Sequence, residues 1–508
     1  MTDRLLARAE TTKLARLLGI PDSDALDFLT HLPPESIRSF RDRATDLLFD
    51  ADAAKLKRVA AATKLVPTPI AAKAAERAFG PALCAAVAAS VEPARAVDIA
   101  KALPAPFLAE ATIALDPRRT AAIIPKVPTR MVVEVARQLL SRGEHVTMGR
   151  FVGVVPEEMM RAAAAVMDEA DLLRVGYLLE DKSSMDSLLE IVADRLPGIV
   201  RAAHEQNMWA EGIDLLATVN PANRARIGDL SAQLGGEVLD SLVQAVHELD
   251  AWATLLPVTG AMSHDSLAVF AQRRAVHTEP VLSAVMDVAL EQGLWLDLLP
   301  LATHLPDGPL AFVADRVAGK PDDELSELIR EADAAGRWDA LIPIALAMTD
   351  ADRRRMAGLP VMADPAVLRK IIETAAEYEL WPDVLPLVDA LPDPAKPIIA
   401  SCLGDLTREH LLAAVLAATR SDNIPVLVDV ALAQDEAGRT RVLEIIDGMD
   451  DLDDFLAALT ADIPEVVWDA FVHVRDEIPA ALRDRLADRA RQLSRNTYAD
   501  RLAALVGP

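Results

Sequence analysis

Cysteine is almost missing from this chain. Cys84 and Cys402 are the only two in 508 residues, and no CxxC spacing joins them. That excludes a disulfide framework and points to a reducing, cytoplasmic setting. Aromatic residues are scarce at 4%, although 52% of the chain is hydrophobic. Ala, Leu and Val therefore carry the apolar content, which favours close helix packing over β-sheet. Long uncharged runs are lacking as well. The longest, Phe79 to Val91 and Ala251 to His264, fall short of the ~18 apolar residues a spanning helix needs. An integral membrane protein is not expected. The opening MTDRLLARAETTKLARLLGI is charged every few positions, which does not fit the apolar core of a secretory leader. Positive charge is the minority sign, with 52 Lys and Arg against 78 Asp and Glu, a net charge of −26. Nucleic acid is a poor partner for such a surface, since binding it relies on neutralising phosphates. Acidity suits solubility, a basic protein partner or cations.

Signatures of chemistry are also missing. The sequence holds no GxSxG, Walker A loop, Rossmann GxGxxG or HExxH, and its nine His are scattered. These motifs carry nucleophiles, phosphate cradles and metal ligands. The expectation is a protein that is not an enzyme, with no cofactor and no metal site.

What is present is repetition. Trp209, Trp252, Trp295, Trp338 and Trp381 follow one another at intervals of 43 residues, and periodicity of this kind marks a stacked-repeat architecture. Thirteen residues before each Trp stands a Leu: Leu196, Leu239, Leu282, Leu325 and Leu368. Apolar residues follow each Leu at i+3, i+4 and i+7, as in Ile199, Val200 and Ala203. That spacing is the buried stripe of a helix. Five residues after the Trp come Pro257, Pro300, Pro343 and Pro386, with Asp214 in their place in the first unit. Thr254, Asp297 and Asp383 stand three before the proline and suit N-caps, which places Pro in a first helical turn. Asn220, Ser263 and Thr349 suit the cap of a third helix, which turns Ile227, Phe270, Val313, Met356 or Ile399 inward. A sixth, degenerate unit keeps Leu411 and puts Ile424 at the Trp position. Three helices per 43 residues make an armadillo- or HEAT-like unit. The expected fold is all-α, a right-handed α-solenoid with no substantial β-sheet.

The first half has a shorter rhythm. Residues 91–114 align with 115–138 at a shift of 24: Pro93 with Pro117, Ile99 with Ile123, Pro104 with Pro128, Phe107 with Met131 and Leu108 with Val132. A third copy around Val155, Pro156 and Met159 follows a four-residue insertion. Each copy reads as a pair of short helices. In these residues the chain resembles the N-terminal superhelical domain of MgtE-type magnesium transporters, over roughly residues 20–190. The resemblance implies a superhelix of short helices joined at LP and DP steps, and it raises a cation-responsive regulator as one function. The chain departs from the family in lacking membrane spans, which removes transport. No family ligand maps onto a residue here. The organisation expected is a short-helix-pair solenoid over 1–190, Trp-marked repeats over 191–440 and capping helices over 441–508. A change of superhelix geometry is expected near Lys182, Ser183, Ser184 and Met185.

Several residues are candidates for binding. Glu205, Glu248, Glu291 and Glu377 stand four before their Trp, with Ala334 breaking the series. Such a column receives a basic partner or cations, or else forms solvated helix ends. The Trp column reads as a wedge between repeats, with an aromatic-lined groove as the alternative. His204 and His247 share one register but have no third member, so they read as no metal site. Asp447, Asp450, Asp451, Asp453 and Asp454 lack the order of an EF-hand loop and read as a capped turn. Arg483, Arg485, Arg489, Arg491 and Arg495 interleave with Asp484 and Asp488, which suits a salt-bridged capping helix. The function expected first is a protein-interaction scaffold presenting repeat surfaces. The alternative is a carrier or sensor of an apolar small molecule such as a lipid or isoprenoid. Mean hydropathy of +0.19 is high for so acidic a chain, and its apolar side chains need either dense packing or a guest.

Overall fold

The structure is a computed structural model, and it describes residues 2–20, 23–180, 182–421, 423–460 and 463–493. Among these residues there are helices and turns and no β-strand. The fold is an all-α solenoid, as the two rhythms of the sequence require. The chain divides into two compact units, Met1–Val276 and His277–Pro508.

Unit 1 opens with α1 (Thr2–Leu17) and the long α2 (Pro34–Thr63). Short helices follow: α3 (Thr68–Ala74), a π-helical turn (Ala75–Phe79), α4 (Gly80–Ala88), α5 (Pro93–Ala100), α6 (Ala105–Ala114), α7 (Pro117–Thr120), α8 (Thr129–Leu140), α9 (His145–Phe151), α10 (Glu157–Ala164) and α11 (Glu169–Tyr177). Proline sets most of their starts. Pro93 and Pro117 are first residues of α5 and α7, while Pro104, Pro128 and Pro156 are the cap residues of α6, α8 and α10. A proline there loses no helical hydrogen bond and arrives with its φ already set. With two helices per copy, every second helix stacks on its counterpart: α4 on α6, α6 on α8, α8 on α10.

The rhythm changes within unit 1. Lys182–Ser184 form a 3-10 turn, and α12 (Met185–Ile191) buries Met185. The Lys182 ammonium pairs with Asp214, the residue that stands where later repeats carry proline. Three helices per repeat then follow: α13 (Leu196–Glu205), α14 (Trp209–Leu216), α15 (Pro221–Gln233), α16 (Gly236–Glu248), α17 (Trp252–Thr259) and α18 (His264–Ala271). Here like stacks on like at every third helix, as α14 does on α17.

Unit 2 continues the pattern with α19 (Glu279–Glu291), α20 (Trp295–Ala302), α21 (Asp307–Ala318), α22 (Asp322–Ala334), α23 (Trp338–Ala347), α24 (Asp350–Ala357), α25 (Pro365–Glu377), α26 (Trp381–Asp389) and α27 (Lys396–Gly404). Then come α28 (Arg408–Arg420), α29 (Ile424–Leu432), α30 (Glu436–Asp447), α31 (Leu452–Ala458), α32 (Glu465–His473) and α33 (Ala480–Leu493). The Trp-type helices stack α20 on α23, α23 on α26 and α26 on α29. Ile424 opens α29 and is buried, and so is Leu411. The sixth unit is therefore a true repeat without its Trp.

All five Trp are buried, down to 1% exposure at Trp295. The Leu column is buried throughout, and the i+7 column, Ala203, Val246, Ala289, Ala332 and Ala375, is at or near zero exposure. Asn220 and Thr349 cap α15 and α24 with their side chains, accepting from the backbone N–H of Asn223 and Asp352. Ser263 is the cap residue of α18 without a side-chain cap bond. Of the inward column on the third helix, Phe270, Val313 and Ile399 are fully buried, while Ile227 and Met356 are half-buried.

The structure corrects one local expectation. The second helix of each repeat begins at the Trp itself, so Thr254, Asp297 and Asp383 lie within its first turn and are not its cap residues. Pro257, Pro300, Pro343 and Pro386 fall inside the helix. The reason lies two residues before each Trp. Asn207, Asp250, Gly293, Gly336 and Glu379 all have φ between 52° and 69°. This left-handed residue ends the preceding helix. The next N–H then reaches back to the Ala/Val column, in Met208 to Ala203, Ala251 to Val246, Leu294 to Ala289, Arg337 to Ala332 and Leu380 to Ala375, at 2.8 to 3.0 Å. That is a Schellman turn. It delivers the chain straight into the next helix and leaves no loop for a separate cap.

Arginines fasten repeat to repeat. Arg195 donates to the carbonyls of Ala164 and Met167 at 2.9 and 2.8 Å, at the end of α10. Arg355 reaches Ala318 and Lys320 at 2.6 and 2.7 Å, at the end of α21. Arg489 does the same for Ala457 and Leu459 at 2.9 and 3.0 Å. Each guanidinium satisfies carbonyls that a helix end leaves open and sits at the negative pole of its dipole.

Candidate functional site

The 24-residue copies do more than stack. Equivalent positions of α4, α6, α8 and α10, and of the turns before them, face one cavity of about 500 Å³. Phe79, Leu103, Val127 and Val155 form one column of its wall. Cys84, Leu108, Val132 and Met160 form a second, and Val91, Leu115, Leu139 and Met167 a third. Between them run Val87, Ala111, Val135 and Ala163. The pairs that define the repeat in sequence, Ile99 with Ile123 and Phe107 with Met131, also line it. The groove is thus the inner face of the repeat itself. No Trp stands between these copies.

The lining runs from Val59 to Leu215 and, among the described residues, includes no Asp, Glu, Lys, Arg, His, Asn or Gln. Its few polar side chains are turned away. Thr63, Thr112 and Thr120 donate to the carbonyls of Ala60, Leu108 and Asp116 at 2.7, 2.7 and 2.9 Å. Cys84 Sγ points to the Ala75 carbonyl at 3.7 Å, and burial pushes its thiol pKa up. A thiol held in that form is a poor nucleophile. The groove therefore offers no charge, no free side-chain donor and no reactive group. Its wall reaches solvent at Phe79, which is 45% exposed while lining the cavity. Unit 2 is packed differently: the voids around Trp295 and Trp338 and around Phe455 and Phe471 measure about 60 and 50 Å³.

Beside the groove lies a buried ionic cluster. Glu10 on α1 takes Lys13 at 2.8 Å, Arg38 at 3.3 Å and Arg41 at 2.7 Å. Glu180, just after α11, takes Arg41 at 2.8 Å, Arg150 at 3.4 Å and Lys13 at 3.5 Å. Burial lowers the pKa of Lys13 and Arg150 against the pull of these carboxylates. Burial alone would raise Glu180, but Arg41, Lys13 and Arg150 hold it below the usual carboxylate range. The cluster ties α1 and α2 to α9 and to the end of α11, helices that supply Met148, Phe151, Leu172 and Leu173 to the groove wall.

The residues singled out in the sequence fall elsewhere. Glu205, Glu248, Glu291 and Glu377 are each the last residue of their helix, and all four are exposed. Glu248 accepts from Gln244 Nε2 at 2.8 Å. His204 Nδ1 lies 2.7 Å from Ser241 Oγ, and His247 stands exposed on the next repeat. No group of three His, Cys, Asp or Glu able to share a metal occurs among the described residues. Asp450, Asp451, Asp453 and Asp454 are exposed around the start of α31. Arg420 approaches Asp451 at 3.6 Å, and Arg485 pairs with Asp453. Arg491 pairs with Asp488 at 2.6 Å, and Arg495 lies outside the described residues. No helix is long and apolar enough to cross a membrane among the described residues.

No protein-family model matches the chain, and no curated protein matches it. Among solved structures, the chain is similar to one titled "Circular tandem repeat protein with novel repeat topology and enhanced subunit contact surfaces", at 14% identity over 99% of this chain and 96% of that one, with a TM-score of 0.14. A score that low carries no structural argument, and the fold rests on the helices described above.

Proposed function

We propose that this is a non-catalytic helical-repeat protein whose first unit holds a neutral, hydrocarbon-rich small molecule in the groove of the 24-residue repeats. One observation carries the reading: a cavity of about 500 Å³ whose wall is apolar along its whole length, with every threonine hydroxyl on it already donating to its own helix. Cavities of ~300–1,000 Å³ take guests of drug size. An ionised headgroup placed here would meet no counter-charge and would not be buried. The guest is therefore an isoprenoid, a polyene or another neutral lipid, and a free fatty acid with its carboxylate inside is disfavoured. The test is organic extraction of the protein purified from its own host, followed by mass spectrometry. A stoichiometric neutral apolar compound supports the reading, and a clean extract contradicts it.

A second reading, an interaction scaffold with a basic protein partner, is favoured by unit 2. In that unit the voids around Trp295 and Trp338 and around Phe455 and Phe471 measure only about 60 and 50 Å³, too small for a drug-sized guest. Its helix ends instead present exposed carboxylates such as Glu291 and Glu377, in a chain of net charge −26. The two readings are compatible, one for each unit. No observation favours the cation-responsive regulator that the transporter resemblance suggests.

A further inference from the structure

The groove meets solvent in a segment whose chemistry is unlike the rest of the molecule. Between Lys57 and Leu83 the chain carries Lys57, Arg58, Lys64, Lys73 and Arg77 against a single carboxylate, Glu76, in a protein of net charge −26. All five cations are exposed. Among them stand large apolar side chains that the fold leaves in water: Leu65 at 87% exposure, Ile70 at 58%, and Phe79 and Leu83. Register groups them. Lys57, Ala61, Lys64 and Leu65 share the outer side at the end of α2, while Leu56 and Ala60 turn inward. Ile70 and Lys73 stand at i and i+3 on α3, and Arg77 follows in the π-helical turn. The segment is continuous with the groove, since Val66, Ala71, Ala74 and Phe79 line it. Its pieces also pack together: α2 on α4, α3 on the π turn, and that turn on α4.

We propose that this face, from the end of α2 through α4, docks the protein on an anionic lipid surface. Basic side chains interleaved with exposed Leu, Ile and Phe are what an interfacial segment presents, with apolar groups entering the acyl boundary and cations meeting phosphate headgroups. Charge complementarity selects an anionic surface, because this face carries five exposed cations against one carboxylate, and repulsion of the acidic remainder orients the chain with this face toward the lipid. Continuity with the groove selects lipid over an acidic protein, because a water-insoluble guest must pass between the groove and a membrane. The proposal rests on the groove's holding such a guest, but vesicle binding is read separately from guest retention.

The test is flotation of the full chain, stripped of guest by solvent washing, with vesicles of phosphatidylcholine alone or with one-third phosphatidylglycerol. The protein is expected to float with the anionic vesicles and not with the neutral ones, and to be released by salt. Lys57→Glu, Lys64→Glu and Lys73→Glu are each expected to lower partitioning at least about fivefold. Leu65→Ser with Ile70→Ser is expected to weaken it at unchanged charge. These side chains are exposed, so thermal melts should match wild type and separate lost docking from lost folding. Equal binding to both vesicle types, no binding, or charge-reversal variants that float like wild type would overturn the proposal. So would an acidic protein whose capture depends on these residues while vesicles go unbound. Flotation without guest retention would leave the docking face standing and remove the carrier reading, and guest retention without flotation would do the reverse.

Discussion

At Glu379 the backbone is held at φ 57°, where an L side chain costs ~1–2 kcal/mol. Asn and Asp tolerate that region and Gly occupies it freely, and those are the residues at the other four equivalent positions. Glu379→Gly is therefore expected to stabilise the protein by about 1 kcal/mol, after the entropy Gly loses on folding, seen as a higher midpoint in urea. The Trp two residues on works in the opposite sense. Trp295→Ala removes a side chain that is 1% exposed and should cost about 3–5 kcal/mol. Glu291→Gln, at an exposed helix end, should leave stability within about 0.5 kcal/mol of wild type or slightly above it. Denaturant melts of the three variants order these effects. If Glu291→Gln proved as costly as Trp295→Ala, the glutamate column would be structural and not a solvated edge.

At the scale of elements, the sequence displayed most of what is periodic. The Leu stripe, the Trp burial, the Asn220 and Thr349 caps and the degenerate unit at Leu411 and Ile424 were all legible, because each rests on residue type at fixed spacing. The left-handed column was not, since Asn207, Asp250, Gly293, Gly336 and Glu379 share a dihedral angle and no side-chain chemistry. That omission misplaced the start of the second helix. The groove was half legible. Phe107 with Met131 and Leu108 with Val132 mark a repeated apolar face, but an apolar residue facing a void has the same spacing as one facing a neighbour. The ionic cluster escaped because Glu10, Arg41, Arg150 and Glu180 are remote in sequence and meet only in the fold. Its cations outnumber its carboxylates. Glu10→Gln should destabilise unit 1 by about 3–5 kcal/mol, because it leaves buried cations unpaired. Lys13→Met should change it by no more than about 1 kcal/mol. Glu180 adds a pH dependence. Its folded pKa lies below the ordinary 4.5, so the stability it contributes is complete above that value and is lost as pH falls through the depressed folded one. Thermal melts across the acid range should show that loss in wild type and a smaller one in Glu180→Gln. An equal loss in both would assign the effect to other carboxylates.

For the molecule as a whole, two rhythms yield two kinds of interior. The 43-residue repeat sets a Trp between neighbours and leaves voids of about 60 Å³ or less around its cores in unit 2. The 24-residue repeat turns Ala, Val, Leu and Met onto a shared face and leaves about 500 Å³. The account stands on that second interior being a binding site. The most direct measurement is a fluorescence titration with a neutral diphenyl-polyene, which brightens on leaving water, against wild type and against Ala111→Phe with Ala163→Phe, which fill one column of the groove wall. Wild type should bind saturably at one probe per chain. The filled variant should lose at least about tenfold in affinity, a change of ~1.4 kcal/mol, while melting no lower than wild type. Absence of saturable binding in wild type, or equal binding by the filled variant, would contradict the account.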